Sequence, residues 1–159
     1  MIQFKLLLLI IIANGAPIIG QYLLQHRLRY SIDGGITLFD GRPVLGPTKT
    51  FRGVIFSIVF TASFSPVLGL PLKTGLIIAA LAMLGDIFSS FIKRRLGYPP
   101  SAMALGLDQI PESLFPLLVV FRQYHIAIED VFFLVLTFIV VELVVSRILF
   151  RFHIRNKPY

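Results

Sequence analysis

Cysteine is absent. That removes disulfides, thiolate zinc sites and cysteine nucleophiles, and leaves the compartment open. Charge is scarce too: 14% of the 159 residues are charged, against roughly 25% in an ordinary soluble domain. The apolar runs are continuous rather than alternating, which argues against a β-barrel wall. There is no internal repeat and no phosphate loop of the G-x-x-x-x-G-K-[ST] form. His26, His125 and His153 are scattered and suggest no metal triad.

What the chain has is apolar mass. It is 56% hydrophobic, with a mean hydropathy of +0.84, which places it among all-α integral membrane proteins. A transmembrane helix needs about 20 predominantly apolar residues. Five runs qualify, at roughly 3–24, 51–70, 73–92, 107–124 and 130–150. The fourth carries Asp108, Glu112 and two prolines. The expected architecture is a bundle of five transmembrane helices forming one catalytic domain over 1–159. The N-terminal run continues through Tyr22 to Leu24, so it reads as a retained span rather than a cleaved signal.

The net charge is +7, and its distribution suggests an orientation. Arg27, Arg29, Arg42, Lys49 and Arg52 lie in the first link, Lys93, Arg94 and Arg95 in the third, and Arg151, Arg155 and Lys157 in the tail. With five spans these segments share one face. The positive-inside rule puts that face in the cytoplasm and the N-terminus outside. The expected location is the cell membrane, multi-pass, with the site on the cytoplasmic side.

Three polar stretches interrupt the apolar background. In "GDIFSSFIKRRLG", Asp86, Ser89, Ser90 and Lys93 share one helix face at 3.6 residues per turn. A carboxylate within a span is costly and commonly functional; Lys93 to Arg95 also fit as membrane anchors. In "GLDQIPES", Asp108 stands where a helix begins and Pro111 falls in its first turn. Asp108 reads either as an N-cap or, with Asp86, as half of a carboxylate pair suited to Mg²⁺. Glu112, one turn on, is a further ligand or a supporting partner. The loop "DGGITLFDGRPVLGPTKTFRG" (33–53) contains turn signals in Asp33-Gly34 and Asp40-Gly41. It also contains Lys49, Thr50, Arg52 and Gly53, a segment able to bring cations, hydroxyls and N–H groups to a phosphate. Asn14 and Pro17, in "NGAP", interrupt the first span as a packing kink or a cavity-lining break. Glu142 is a further intramembrane charge, with Arg147 nearby in sequence.

Taken together and in this order, these motifs resemble the CDP-archaeol synthase family of membrane CTP-dependent cytidylyltransferases. "SSFIKRRLG" followed by an aspartate also resembles the signature of the larger CTP:phosphatidate enzymes. The resemblance implies a five-span bundle with a magnesium-dependent CTP site. Asp86 and Asp108 would be metal ligands and, with Lys93, catalytic. The 33–53 loop, Ser90, Lys93 and Arg94 would contact nucleotide and phosphates. Lys49, Arg52, Lys93 and Arg94 would act as phosphate-holding cations. Asp33 or Asp40 would accept from the cytosine amine or ribose hydroxyls, with Gly34 and Gly41 permitting close approach. The partners implied are CTP and a lipid phosphate, with no nucleic acid. The chain departs from the family where it reads Gly41-Arg42-Pro43, in "YPPSAMALG" and in "PES". Two lipid classes therefore stand open, isoprenoid ether and diacyl glycerol phosphates. A small transporter and a non-catalytic, lipid-binding scaffold are the rival classes.

Overall fold

The structure is a computed structural model; it describes residues 1–25 and 27–152. His26, His153 and the tail cations Arg155 and Lys157 lie outside the described residues. Five helices follow in order: α1 (Ile2–Leu24), α2 (Phe51–Val67), α3 (Leu72–Arg95), α4 (Gln109–Gln123) and α5 (Ile128–Arg151). They coincide with the five apolar runs, and the ends differ for local reasons. The second helix stops at Val67, short of residue 70, because Gly69 turns the chain at φ +71° ahead of Pro71. The third runs on to Arg95, where three basic side chains favour a helix C-terminus.

Among the described residues α1, α3 and α5 are long and apolar enough to cross a membrane. The α2 helix has 17 residues and α4 has 15. At 1.5 Å per residue, α4 reaches about 22 Å, less than a hydrocarbon layer of about 30 Å.

Successive helices pack on one another, and α1 also meets α3, α4 and α5. The α2 face is built of small hydroxylated residues: Ser57, Thr61 and Ser65, spaced four apart, are wholly buried. A Cβ added at Gly75 of α3 would stand 2.6 Å from the Thr61 carbonyl oxygen. Small residues thus let two backbones approach where lipid offers no hydrophobic drive. The α2 N-terminus is capped by Thr50, whose Oγ1 accepts from the Gly53 N–H at 3.3 Å. Thr50→Ala should cost about 1 kcal/mol, read as a lower melting midpoint in detergent.

The interior divides into two ends. Leu6, Leu9, Ile10, Ile78, Leu117, Val120, Val131, Leu134 and Phe138 form an apolar core. They come from the first halves of α1, α3 and α5 and the last turns of α4. The opposite end holds the polar side chains and is roofed by the 31–50 loop.

That loop is more ordered than a string of turns. Isolated β-bridges join Ser31 to Thr50 and Thr37 to Pro43. The Phe51 N–H donates to the Tyr30 carbonyl and the Ile32 N–H to the Lys49 carbonyl, closing its base. Its tip is fastened to the end of α3. Arg95 Nη1 donates to both Asp40 oxygens at 2.7 Å, Arg95 Nη2 donates to the Pro43 carbonyl, and Arg42 returns a bond to the Arg95 carbonyl at 2.7 Å.

Candidate functional site

The polar end encloses an open cavity of about 530 Å³, within the range of small-ligand sites. Every helix contributes to its wall, as does the loop. Asn14 and Pro17 come from α1, and Arg52 and Gly53 from the start of α2. Asp86, Ser90, Lys93 and Arg94 come from α3, Glu112 from α4 and Glu142 from α5. Lys49 and Thr50 come from the loop, while Ile18, Phe138, Val141 and Val145 provide an apolar side. Polar and apolar walls in one cavity suit an amphiphilic ligand.

The α3 face is the organising surface. Asp86 accepts from Lys49 Nζ at 2.5 Å. One turn on, Ser90 is buried. A second turn on, Lys93 Nζ lies 2.6 Å from Asp108 Oδ1 and donates to the Ala102 carbonyl at 3.0 Å. Burial opposes the Lys49 charge, but Asp86 beside it prevails and holds the ammonium above the usual lysine range. Arg94 is 3% exposed, and its Nε finds no hydrogen-bond partner among the described residues. A buried guanidinium nitrogen without an acceptor is expensive, and an anion in the cavity would relieve it.

Several sequence expectations shift here. Asp108 sits at the α4 N-cap position without capping the helix. Its Oδ2 accepts from the Ala104 N–H at 3.0 Å, its Oδ1 faces Lys93, and it does not line the cavity. The carboxyl group that stands beside Asp86 on the cavity wall is that of Glu112. The two meet because Gly85 lets α3 touch the α4 backbone: an added Cβ would collide with the Pro111 carbonyl and lie 2.7 Å from the Glu112 nitrogen. Glu142, which the sequence set beside Arg147 as an intramembrane charge, shares the cavity, whereas Arg147 is exposed. Thr48 of the 33–53 loop also lines it, as do Arg29 and Ser101, which the sequence assigned no role at the site.

Arg52 lines the cavity, yet its Nη1 donates to the Gln25 and Arg27 carbonyls at 2.9 and 2.8 Å. It ties down the chain leaving α1 as well as facing the cavity. Asn14 Nδ2 donates back to the Ile10 carbonyl at 3.0 Å, within the helix turn that Pro17 disturbs.

Asp33, Gly34, Asp40 and Gly41 do not line the cavity. Both glycines have positive φ, 56° and 71°, and an added Cβ would meet nothing within 4 Å. Turn geometry requires them, not close approach. Asp40 is spent on Arg95 and the Arg42 N–H. Asp33 is 8% exposed and accepts three backbone N–H bonds, from Gly35, Leu45 and Gly46. Burial opposes its charge, but these donors with the Ser31 hydroxyl hold its carboxyl down at about 2. An unfolded aspartate titrates near 3.9. The loop therefore gains stability from this carboxylate above about pH 4 and loses it as the pH falls toward 2. Amide protection at Leu45 and Gly46 should be level at neutral pH and decline only below about pH 4.

A divalent cation of the Mg²⁺ type takes oxygen donors. Among the described residues no three carboxylates or imidazoles converge as a closed cage. Asp86 and Glu112 do stand together on the cavity wall as oxygen donors. Mg²⁺ commonly takes one or two carboxylates and completes its shell with water and substrate phosphates, so the residues fit that ion.

An apolar bundle that reserves one end for a cavity with partly buried lysine–carboxylate pairs has the build of an intramembrane ligand site. The chain belongs to the CDP-archaeol synthase family: the CarS-like, CDP-archaeol synthase family pattern matches residues 7–159. Among its relatives is a CDP-archaeol synthase of Hyperthermus butylicus, 41% identical over 107 residues, covering 62% of this chain and 59% of that protein. Those of Pyrobaculum calidifontis (34% identical, 72% of each chain) and Pyrobaculum islandicum (29% identical, 93% and 92%) match over longer stretches. A solved structure, described as an intramembrane enzyme for archaeal membrane lipids biosynthesis, aligns with a TM-score of 0.78. It is 27% identical and covers 89% of this chain and 90% of its own.

Proposed function

We propose that the chain transfers the cytidylyl group of CTP to an isoprenoid ether-lipid glycerol phosphate, giving CDP-archaeol and pyrophosphate. On this reading the five helices all cross the membrane, the short α2 and α4 by local thinning of the bilayer, the N-terminus lies outside, and the cavity opens to the cytoplasm. The observation that carries the reading is the α3 face: Asp86, Ser90, Lys93 and Arg94 line one cavity with Lys49 opposite and an apolar wall beside them. Membership of the family supports it.

The nucleophile is the lipid phosphate, already ionised, so no serine, cysteine or triad is needed. A lipid phosphate oxygen forms a bond to the α-phosphorus of CTP. The bond from that phosphorus to the bridging oxygen breaks, and pyrophosphate leaves with the electron pair. Catalysis is then a matter of positioning and charge neutralisation. Arg94, buried and with its Nε unsatisfied, is ready for a phosphate. Lys49 and Lys93 hold carboxylates until phosphates compete for them. Asp86 with Glu112 would hold Mg²⁺, and Asp108 would join them only where Lys93 releases it. The ion, when bound, would supply charge neutralisation on the phosphates.

The test is incubation of purified protein with CTP, Mg²⁺ and a panel of lipid phosphates, followed by mass analysis. A CDP-lipid formed preferentially from the isoprenoid ether supports the reading. Preference for diacyl phosphatidate reassigns the lipid, and CTP-independent flux across liposomes would favour a transporter.

A further inference from the structure

The sequence leaves Asp33 open as a turn residue or a nucleotide contact, and the structure gives its carboxylate partners in the loop backbone. One oxygen, Oδ2, accepts from the Leu45 N–H at 2.9 Å and the Gly46 N–H at 2.8 Å. The other, Oδ1, accepts from the Gly35 N–H at 3.1 Å. The carboxylate thus joins stretches of chain 12 and 13 residues apart. Gly46 takes φ +95°, and an added Cβ would lie 3.6 Å from Arg94 Nη1. The clamp therefore seats the backbone directly against the buried guanidinium.

From Gly46 the chain makes one tight turn. The Lys49 N–H donates back to the Gly46 carbonyl at 3.3 Å, and the Lys49 carbonyl accepts from the Ile32 N–H at 2.8 Å. Lys49 is thus the last residue of a turn whose first residue Asp33 holds and whose end is bonded beside Asp33. Pro47, inside the turn, restricts it further. Lys49 Nζ then reaches Asp86. A lysine has four rotatable side-chain bonds and pays entropy for any fixed position. A backbone anchored at both ends limits that cost to the side chain alone.

We propose that Asp33 is a positioning residue for the transfer reaction: it acts through the Leu45 and Gly46 N–H groups to set the Gly46–Lys49 turn, and so places Lys49 on the α3 face beside Arg94. The proposal rests on the cytidylyl-transfer reading above. It differs from a direct nucleotide contact in that Asp33 has no effect except through Lys49. It differs from a purely structural role in that the helical bundle, whose core lies at the opposite end, does not depend on it.

The decisive experiment is a double-mutant cycle on the full-length chain in detergent or liposomes. Asp33→Asn keeps the shape, loses the charge and replaces one acceptor with a donor. It should lower kcat by on the order of 10- to 100-fold, with KM for the lipid phosphate unchanged. In a Lys49→Met background the same substitution should cost no more than about twofold, because the residue it acts through is gone. Asp33→Glu, which retains the charge and displaces it by one methylene, is the gentler second variant and should show the same non-additivity with a smaller loss. The absence of native cysteine permits a structural readout: a nitroxide on Thr48→Cys, an exposed position, should be immobile with Asp33 and mobile in either variant. Losses that multiply across the two backgrounds, undiminished turnover in both Asp33 variants, or an unchanged label would overturn the proposal. Wild-type protein that makes no CDP-lipid would instead sink the transfer reading, leaving the label to judge the clamp.

Discussion

Asp86→Asn should reduce CTP-dependent turnover by on the order of a thousandfold or more, the scale on which single phosphate-site charges act. Asp86 pairs with Lys49 and shares the cavity wall with Glu112. Asparagine fills the same space and leaves Lys49 without its counter-charge, so a partly buried pair is broken and about 1–3 kcal/mol of stability is lost with it. Stability and chemistry are separable by adding Lys49→Met. The double variant removes the stranded charge and should recover most of the melting midpoint while turnover stays lost. Recovery of turnover along with stability would mean that the pair serves the fold alone.

The second large effect is expected one residue earlier. Gly85→Ala puts a methyl group into the Pro111 carbonyl, a backbone atom that cannot swing aside as a side chain does. Either α3 or the first turn of α4 must move. Overpacking of this kind costs about 1–3 kcal/mol. The displacement falls between Asp86 and Glu112, so turnover should drop further than stability explains. Gly15→Ala is the matched control, since a Cβ there meets nothing within 4 Å and the melting midpoint should not fall. Equal effects of the two substitutions would remove the close α3–α4 approach as the reason Asp86 and Glu112 meet.

What could be read from the chain alone follows physical range. The helices were legible because unbroken apolar runs have few other solutions, and α1, α3 and α5 match them within a few residues. The α3 stripe was legible because 3.6-residue periodicity is local: Asp86, Ser90 and Lys93 do line one cavity, whereas Ser89, expected on the same stripe, does not and donates to the Asp86 carbonyl. The identity of the second carboxylate was not. Asp108 and Glu112 are one turn apart, and which of them meets Asp86 depends on how near Gly85 lets two backbones come. Asp33 was illegible for a related reason. Its donors, Leu45 and Gly46, present only backbone N–H groups, which every residue but proline has and no side-chain pattern marks. Asp40 looked like a turn residue or a nucleotide contact, and Arg42 like one of the basic residues of the first link. Their partner is Arg95, more than fifty residues on. The shortness of α4 was foreshadowed by Asp108, Glu112, Pro111 and Pro116, which make its run the most polar of the five.

A cytidylyl group moved in this cavity onto a lipid phosphate leaves an isotopic record. The most direct test uses CTP labelled separately at the α- and γ-phosphorus, with purified protein, Mg²⁺ and the ether-lipid phosphate. The account predicts that α-label enters the lipid fraction and γ-label leaves as pyrophosphate, one for one, with both transfers abolished in Asp86→Asn. Label from the γ-position in the lipid, or CTP left intact, would contradict it.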